Sequence, residues 1–120
     1  MKTRYRVHAE FLRTVANPKR LEILHLLRDG RRCVTQLAAA MEVSLAAASQ
    51  ELAPLRTAGI LRTHREGKTV YYALANPKVL HACDLLAESM RELQAARASA
   101  IEEPASRLEP FLARSSRRAL

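Results

Sequence analysis

The sequence predicts a mainly α fold with one small β-hairpin, in the order of four helices, two strands and a last helix. Three observations predict it. Thr35 to Leu61 reads as two short amphipathic segments joined by the turn Glu42-Val43-Ser44. Two β-prone runs, Ile60 to Arg65 and Thr69 to Leu74, flank Glu66-Gly67-Lys68 as a hairpin flanks its turn. Asn17-Pro18 and Asn76-Pro77 are matching helix starts, because Asn caps well and proline is tolerated at the first helical position.

The first helix is expected over residues 4–16, with Val7, Phe11 and Val15 on one stripe and Arg4, Arg6 and Arg13 exposed. Asn17-Pro18 opens a second helix expected to run to Asp29. Its apolar face combines Leu21, Leu24 and Leu27 with Ile23 and Leu26, and Gly30 ends it. Arg31 and Arg32 read as a basic link. In the third helix Val34, Leu37, Ala38 and Met41 recur at i, i+3, i+4 and i+7. Ser44 is the expected N-cap of a fourth helix from Leu45 to about Ala58, which turns Ala48, Leu52 and Leu55 inward and stops at Gly59 in a left-handed cap. Pro54 lies inside it, so the helix should bend near Gln50 or break before the proline. After the hairpin, the last helix carries Val79, Cys83, Leu86, Met90 and Leu93 along one stripe, a length that suggests pairing. Residues 1–103 then form one domain, and 104–120 a basic tail expected to be either disordered or loosely docked.

Composition narrows the partner. Twenty Lys and Arg against twelve Asp and Glu give a formal charge of +8 and a pI near 10.3, which suits a polyanion such as nucleic acid. Aromatic residues make up only 4%, too few rings to stack single-stranded bases, so double-stranded DNA fits better than RNA. No apolar run approaches the roughly 18 residues of a membrane span and no signal peptide is visible, so the expected location is the cytoplasm, with no membrane partner. Phosphate loops, paired carboxylates and nucleophile motifs are absent, and an enzyme is not expected. A thiol enzyme built on Cys33 would lack an orienting third group.

A short helix, a tight turn, a second helix and a basic hairpin make a winged helix-turn-helix. The runs ANPKRLEILHLL, VTQLA and SQELAPLRTAGILRTHREGKTVYYALANP resemble the ArsR/SmtB (arsenic-repressor) family over roughly residues 8 to 95. The resemblance implies a transcriptional repressor that dimerises through its first and last helices. Two recognition helices would then read an inverted-repeat operator with half-sites about one helical turn, or a multiple of it, apart. It places Ser44, Leu45, Ala46, Ser49 and Gln50 on the outward face of the recognition helix, where Gln50 could bridge an adenine edge and Leu45 and Ala46 meet a thymine methyl. Arg56, Arg62, Arg65 and Lys68 are the candidates for phosphate contacts. The chain departs from the pattern at Gln50 and Glu51, where many relatives carry a cation. Glu51 is expected to repel phosphate. Together with Pro54, these departures keep a second reading open, a winged-helix interaction module with weak or no specific DNA readout.

Relatives often release DNA on binding a metal or reacting at cysteine. Of the family's Cys-x-Cys pair at the third helix, only half is present, in Cys33-Val34-Thr35. The last-helix zinc positions hold Asn76, Lys78, Ser89 and Glu92, and the positions of the sulfur-sensing pair hold His25 and Arg91. Cys33 precedes Gln36 by three, the spacing of a capping box, beside Arg31 and Arg32; two readings stay open, a thiol of lowered pKa that is reactive, or a residue that only replaces the capping Ser of many relatives. Cys83 lies on the apolar stripe, where a buried inert thiol is expected. The sharper expectation is a dithiol switch, or a soft metal or metalloid ion, joining Cys33 and Cys83 with His81 or His25. No two of the histidines at 8, 25, 64 and 81 share metal-binding helical spacing.

Overall fold

A computed structural model describes residues 2–102. The elements are α1 (Lys2–Val15), α2 (Pro18–Leu26), β1 (Arg32–Cys33), α3 (Val34–Met41), α4 (Leu45–Thr57), β2 (Leu61–Glu66), β3 (Thr69–Leu74) and α5 (Lys78–Glu102). They divide into two compact units, the first ending at Leu80 and the second beginning at His81 inside α5. All five expected helices and both hairpin strands are present.

In the first unit the stripes read from the sequence become the core. Ile23, Leu24 and Leu27, Leu37, Ala38 and Met41, Ala48, Leu52 and Leu55 are all buried, joined by Val15, Ile60, Leu61 and Leu80. Capping chemistry sets the helix ends. Asn17 Oδ1 accepts the Lys19 and Arg20 N–H groups at 2.9 and 3.3 Å, and Ser44 Oγ accepts the Ala47 N–H at 3.1 Å. At the far end of α4, Gly59 takes φ 76°, and the N–H groups of Gly59 and Ile60 reach back to the carbonyls of Arg56 and Leu55. This paired closure brings two buried side chains, Ile60 and Leu55, together at the helix exit.

Three details differ from the sequence reading. The second helix ends at Leu26 rather than Asp29; residues 27–30 turn instead, and Gly30 sits at φ 144°. The supposed basic link contains a strand, so the hairpin is part of a three-stranded antiparallel sheet in the order β1-β3-β2. Arg32 pairs with Tyr72 and Cys33 with Tyr71. Pro54 does not interrupt α4, which runs unbroken to Thr57. The carbonyl that loses its intrahelical donor belongs to Gln50, an exposed position where water can replace the bond.

The hairpin register runs from Leu61 opposite Leu74 to Glu66 opposite Thr69, leaving Gly67 and Lys68 as a two-residue loop. Gly67 has φ 62° at the first loop position, a left-handed value that suits the primed turns matching strand twist.

In the second unit, Leu85, Leu86, Met90 and Leu93 are exposed along α5, each by more than half. Cys83 is half-buried rather than fully buried, and burial pushes its thiol pKa up, with the charge of Asp84 acting in the same direction. The basic tail, 104–120, lies outside the described residues.

Candidate nucleic-acid interface

Helical geometry sorts α4 into two faces. Ala48, Leu52 and Leu55 point inward, so the residues about half a turn away must point out. Leu45, Ala46, Ser49 and Gln50 are all exposed, Leu45 by 54%. Arg56 falls on the same strip two turns beyond Ser49. Ser44 stands at its leading end, its oxygen already used as a cap acceptor while its hydroxyl can still donate. The strip also includes Ala53 and Thr57, both exposed, which the sequence reading missed although the spacing 46, 50, 53, 57 carries the signal.

Glu51 does not belong to that strip. Its Oε2 accepts from Arg20 Nε at 2.9 Å, and Arg20 Nη1 donates at 3.0 Å to the Thr14 carbonyl near the end of α1. The two charged side chains are only 22% and 18% exposed. The expected repulsion of phosphate by Glu51 therefore fails on geometry: the carboxylate is turned onto the flank of α4 and neutralised from α2. One arginine ties three helices together.

On the wing, Arg62, Arg65 and Lys68 are exposed, but they do not form one patch. Strand alternation puts Arg62 with His64, Glu66, Tyr71 and Ala73, and Arg65 with Thr63, Val70 and Tyr72 on the other face. Lys68 occupies the tip. Arg31, read from the sequence as part of a basic link beside Cys33, clamps the wing. Its Nη1 and Nη2 donate to the two carboxylate oxygens of Glu66 at 2.9 and 3.0 Å, and its guanidinium lies 4.2 Å from the centre of the Tyr71 ring. The bidentate contact holds the Glu66 carboxyl below its ordinary pKa and raises that of Arg31. His64 Nε2 is 3.5 Å from Glu66 Oε1.

Cys33 is the half-buried N-cap of α3, and Gln36 Oε1 accepts its backbone N–H at 3.0 Å. The two neighbouring guanidinium groups have partners elsewhere: Arg31 on Glu66 and Tyr71, and Arg32, whose Nε donates to the Leu26 carbonyl at 2.9 Å. Cys33 belongs to the first unit and Cys83 to the second. Among the described residues, no three His, Cys, Asp or Glu side chains gather as a metal site, and no helix is long and apolar enough to cross a membrane.

Residues 17–63 match the family model described as bacterial regulatory protein, arsR family. The chain is similar to the transcriptional activator HlyU of Vibrio cholerae, 40% identical over 75 residues that cover 62% of this chain and 69% of the relative. It is also similar to a transcriptional repressor SmtB homolog of Synechocystis, 38% identical over 84 residues, 70% of this chain and 64% of that protein's length. Among solved structures, the antimony-specific transcriptional repressor AntR superposes with a TM-score of 0.68 at 32% identity, covering 79% of this chain and 86% of its own. The homodimeric winged helix-turn-helix DNA-binding domain of Mb0332 from Mycobacterium bovis does so with a TM-score of 0.62 at 34% identity, covering 68% and 76%.

Proposed function

This chain belongs to the arsR family of DNA-binding transcriptional regulators, and from that premise we propose that it is a homodimeric repressor of an inverted-repeat operator. The observation that carries the reading is the two-sided build of α4. Every inward position is packed or paired, while Leu45, Ala46, Ser49, Gln50 and Arg56 share an exposed strip that a major groove can accept. Gln50 reads an adenine edge, Leu45 and Ala46 meet thymine methyls, and Ser44 and Ser49 donate to phosphate or base. Arg56, Arg62, Arg65 and Lys68 contact phosphates. Because Arg62 and Arg65 leave the wing on opposite faces, the wing inserts between two phosphate rows rather than lying flat on one.

The dimer is supported by apolar side chains that a single chain leaves in water. Tyr5, Val7, Phe11 and Leu12 are exposed on α1, and Leu85, Leu86, Met90 and Leu93 on α5. Two copies related by a two-fold axis would bury both sets. Control of DNA binding is assigned to the thiols of Cys33 and Cys83, through modification or a soft metal or metalloid ion. The likeness to an antimony-specific repressor supports that chemistry.

The test is a fluorescence-anisotropy titration of reduced protein onto DNA from upstream of its own gene and onto scrambled DNA, at two salt concentrations. Native DNA is expected to bind more tightly. Gln50→Ala should cost about 1–3 kcal/mol at one base position of each half-site. Lys68→Ala should weaken all sequences alike and lower the salt slope by about one. Arsenite or a mild oxidant added to the complex should release the DNA from wild type but not from Cys33→Ser. Equal, weak binding to both DNAs would overturn the repressor reading and leave the interaction module.

A further inference from the structure

On the sheet face that carries Arg62, His64 and Tyr71, a groove of about 500 Å³ opens against the loop between α2 and β1. Its lining combines two chemistries. Arg28, Arg31 and Arg62 bring three guanidinium groups and His64 an imidazole, while Leu27, Ala73, Leu74 and Pro77 supply an apolar wall. Glu66 sits beside it as the counter-charge, engaged by Arg31 and facing His64. Arg31 and Arg62 against the Glu66 carboxylate leave this wall of the groove net positive, which attracts anions. The volume lies within the range of small-molecule sites, roughly 300–1,000 Å³.

The geometry points to this groove as a binding site for a small organic anion, a carboxylate carried on an apolar body. Arg31 is already oriented by Tyr71 beneath it and Glu66 beside it, so little side-chain freedom is lost when it donates to a second carboxylate. Arg62 faces the same space from β2, and together the two guanidinium groups can grip the ligand's charged end. The body of the ligand lies along Ala73, which shares the face of Arg62 and Tyr71, and Pro77. Neither the cysteines nor a metal takes part.

Occupancy has a consequence for the wing. A bound carboxylate shares Arg31 with Glu66 and draws Arg62 away from phosphate, so the ligand lowers affinity for DNA. This regulatory half rests on the DNA-binding reading given above; the binding half does not, and the two are measured separately.

The experiment is calorimetric titration of the full chain, without DNA, using 1-naphthoate as the probe, with naphthalene-1-methanol and inorganic phosphate as controls. The expected result is saturable binding of one naphthoate per chain, tighter than either control. Arg62→Ala should weaken it by about tenfold through loss of a charge-assisted contact. Ala73→Trp, which fills the groove, should abolish it, with circular dichroism melts verifying that both variants are folded. Absence of saturation, equal binding of the neutral alcohol or of phosphate, or unchanged binding by folded Arg62→Ala would each overturn the site. Wild type that binds naphthoate yet holds operator DNA equally well with and without it would overturn the regulatory half.

Discussion

Two arginine–glutamate pairs hold α4 and the wing, and the same chemistry is set in opposite surroundings. Arg20 and Glu51 meet at 2.9 Å beneath the recognition helix with about a fifth of each side chain exposed; Arg31 and Glu66 meet at the same distance on the wing with about half exposed. The inner pair has a further acceptor, the Thr14 carbonyl, whereas the outer pair has a ring face and a histidine. Water screens the outer charges and competes for their hydrogen bonds, so such a pair contributes little to stability. The inner pair is partly desolvated, which makes it costly to break from one side. The fold thus places its more buried ion pair under the helix proposed to read bases, and its more exposed one on the wing proposed to meet phosphates.

Removing one member of each pair breaks this comparison most directly. Arg20→Ala leaves the Glu51 carboxylate without its cation and the Thr14 carbonyl without that donor. The expected loss is about 2 kcal/mol, read from the urea midpoint at an unchanged slope. Operator affinity should fall with stability, because α4 loses its tie to α1 and α2. Replacing both partners, Arg20→Met with Glu51→Leu, should recover part of the loss, since no uncompensated charge is then left. An Arg20→Ala midpoint equal to wild type would show that the inner pair is no stronger than a surface one.

The turns leading into the two elements sharpen the contrast at a smaller scale. Both contain a residue in the left-handed region, Glu42 at φ 57° before α4 and Gly67 at φ 62° on the wing. Only the first carries a Cβ there, a conformation that costs an L-residue about 1 kcal/mol or slightly more. The cost is tolerated because the N–H groups of Glu42 and Val43 close α3 on the carbonyls of Ala39 and Ala38. Glu42→Gly should therefore stabilise the protein by up to about 1 kcal/mol. Gly67→Ala should destabilise it by a similar amount, through backbone strain alone, since nothing lies within 4 Å of the added methyl. Thermal melts of the two variants should move in opposite directions; a shared direction would mean that side-chain contacts, not φ, set the effect.

What the sequence disclosed follows the range of the forces involved. Caps and stripes act within four residues, so Asn17, Ser44, Gly59 and the buried faces of α2, α3 and α4 were legible. The outward strip of α4 was placed by the family resemblance, and the helical period agrees with it. Strand β1 was not legible, because a two-residue strand has no alternation of its own and exists only against β3. Nor were the two ion pairs, whose partners lie 31 and 35 positions apart. Glu51 was misread for that reason: its sequence neighbours place it beside Gln50, whereas its partner comes from another helix. The split of Arg62 and Arg65 onto opposite faces is present in strand alternation once the hairpin register is known.

The smallest expected effect is that of Glu66→Gln, and its pH dependence is the sharpest check on the outer pair. Arg31 holds the Glu66 carboxyl below its ordinary value, so the folded chain gives up this proton more readily than the unfolded chain does. A depressed carboxylate stabilises above its unfolded pKa, about 4.3, and that contribution is lost as pH falls through the folded value. Wild type should therefore exceed Glu66→Gln in stability at neutral pH by less than it exceeds Arg20→Ala, and the difference should close in acid. Molar salt should shrink it as well, because half-exposed charges are screened. Amide exchange would show the same release locally, with β2 and the Gly67-Lys68 loop opening faster in Glu66→Gln than in wild type at neutral pH. A gap in stability that persists in acid or in high salt would mean that Glu66 acts through packing, and that the wing is held as firmly as the helix it accompanies.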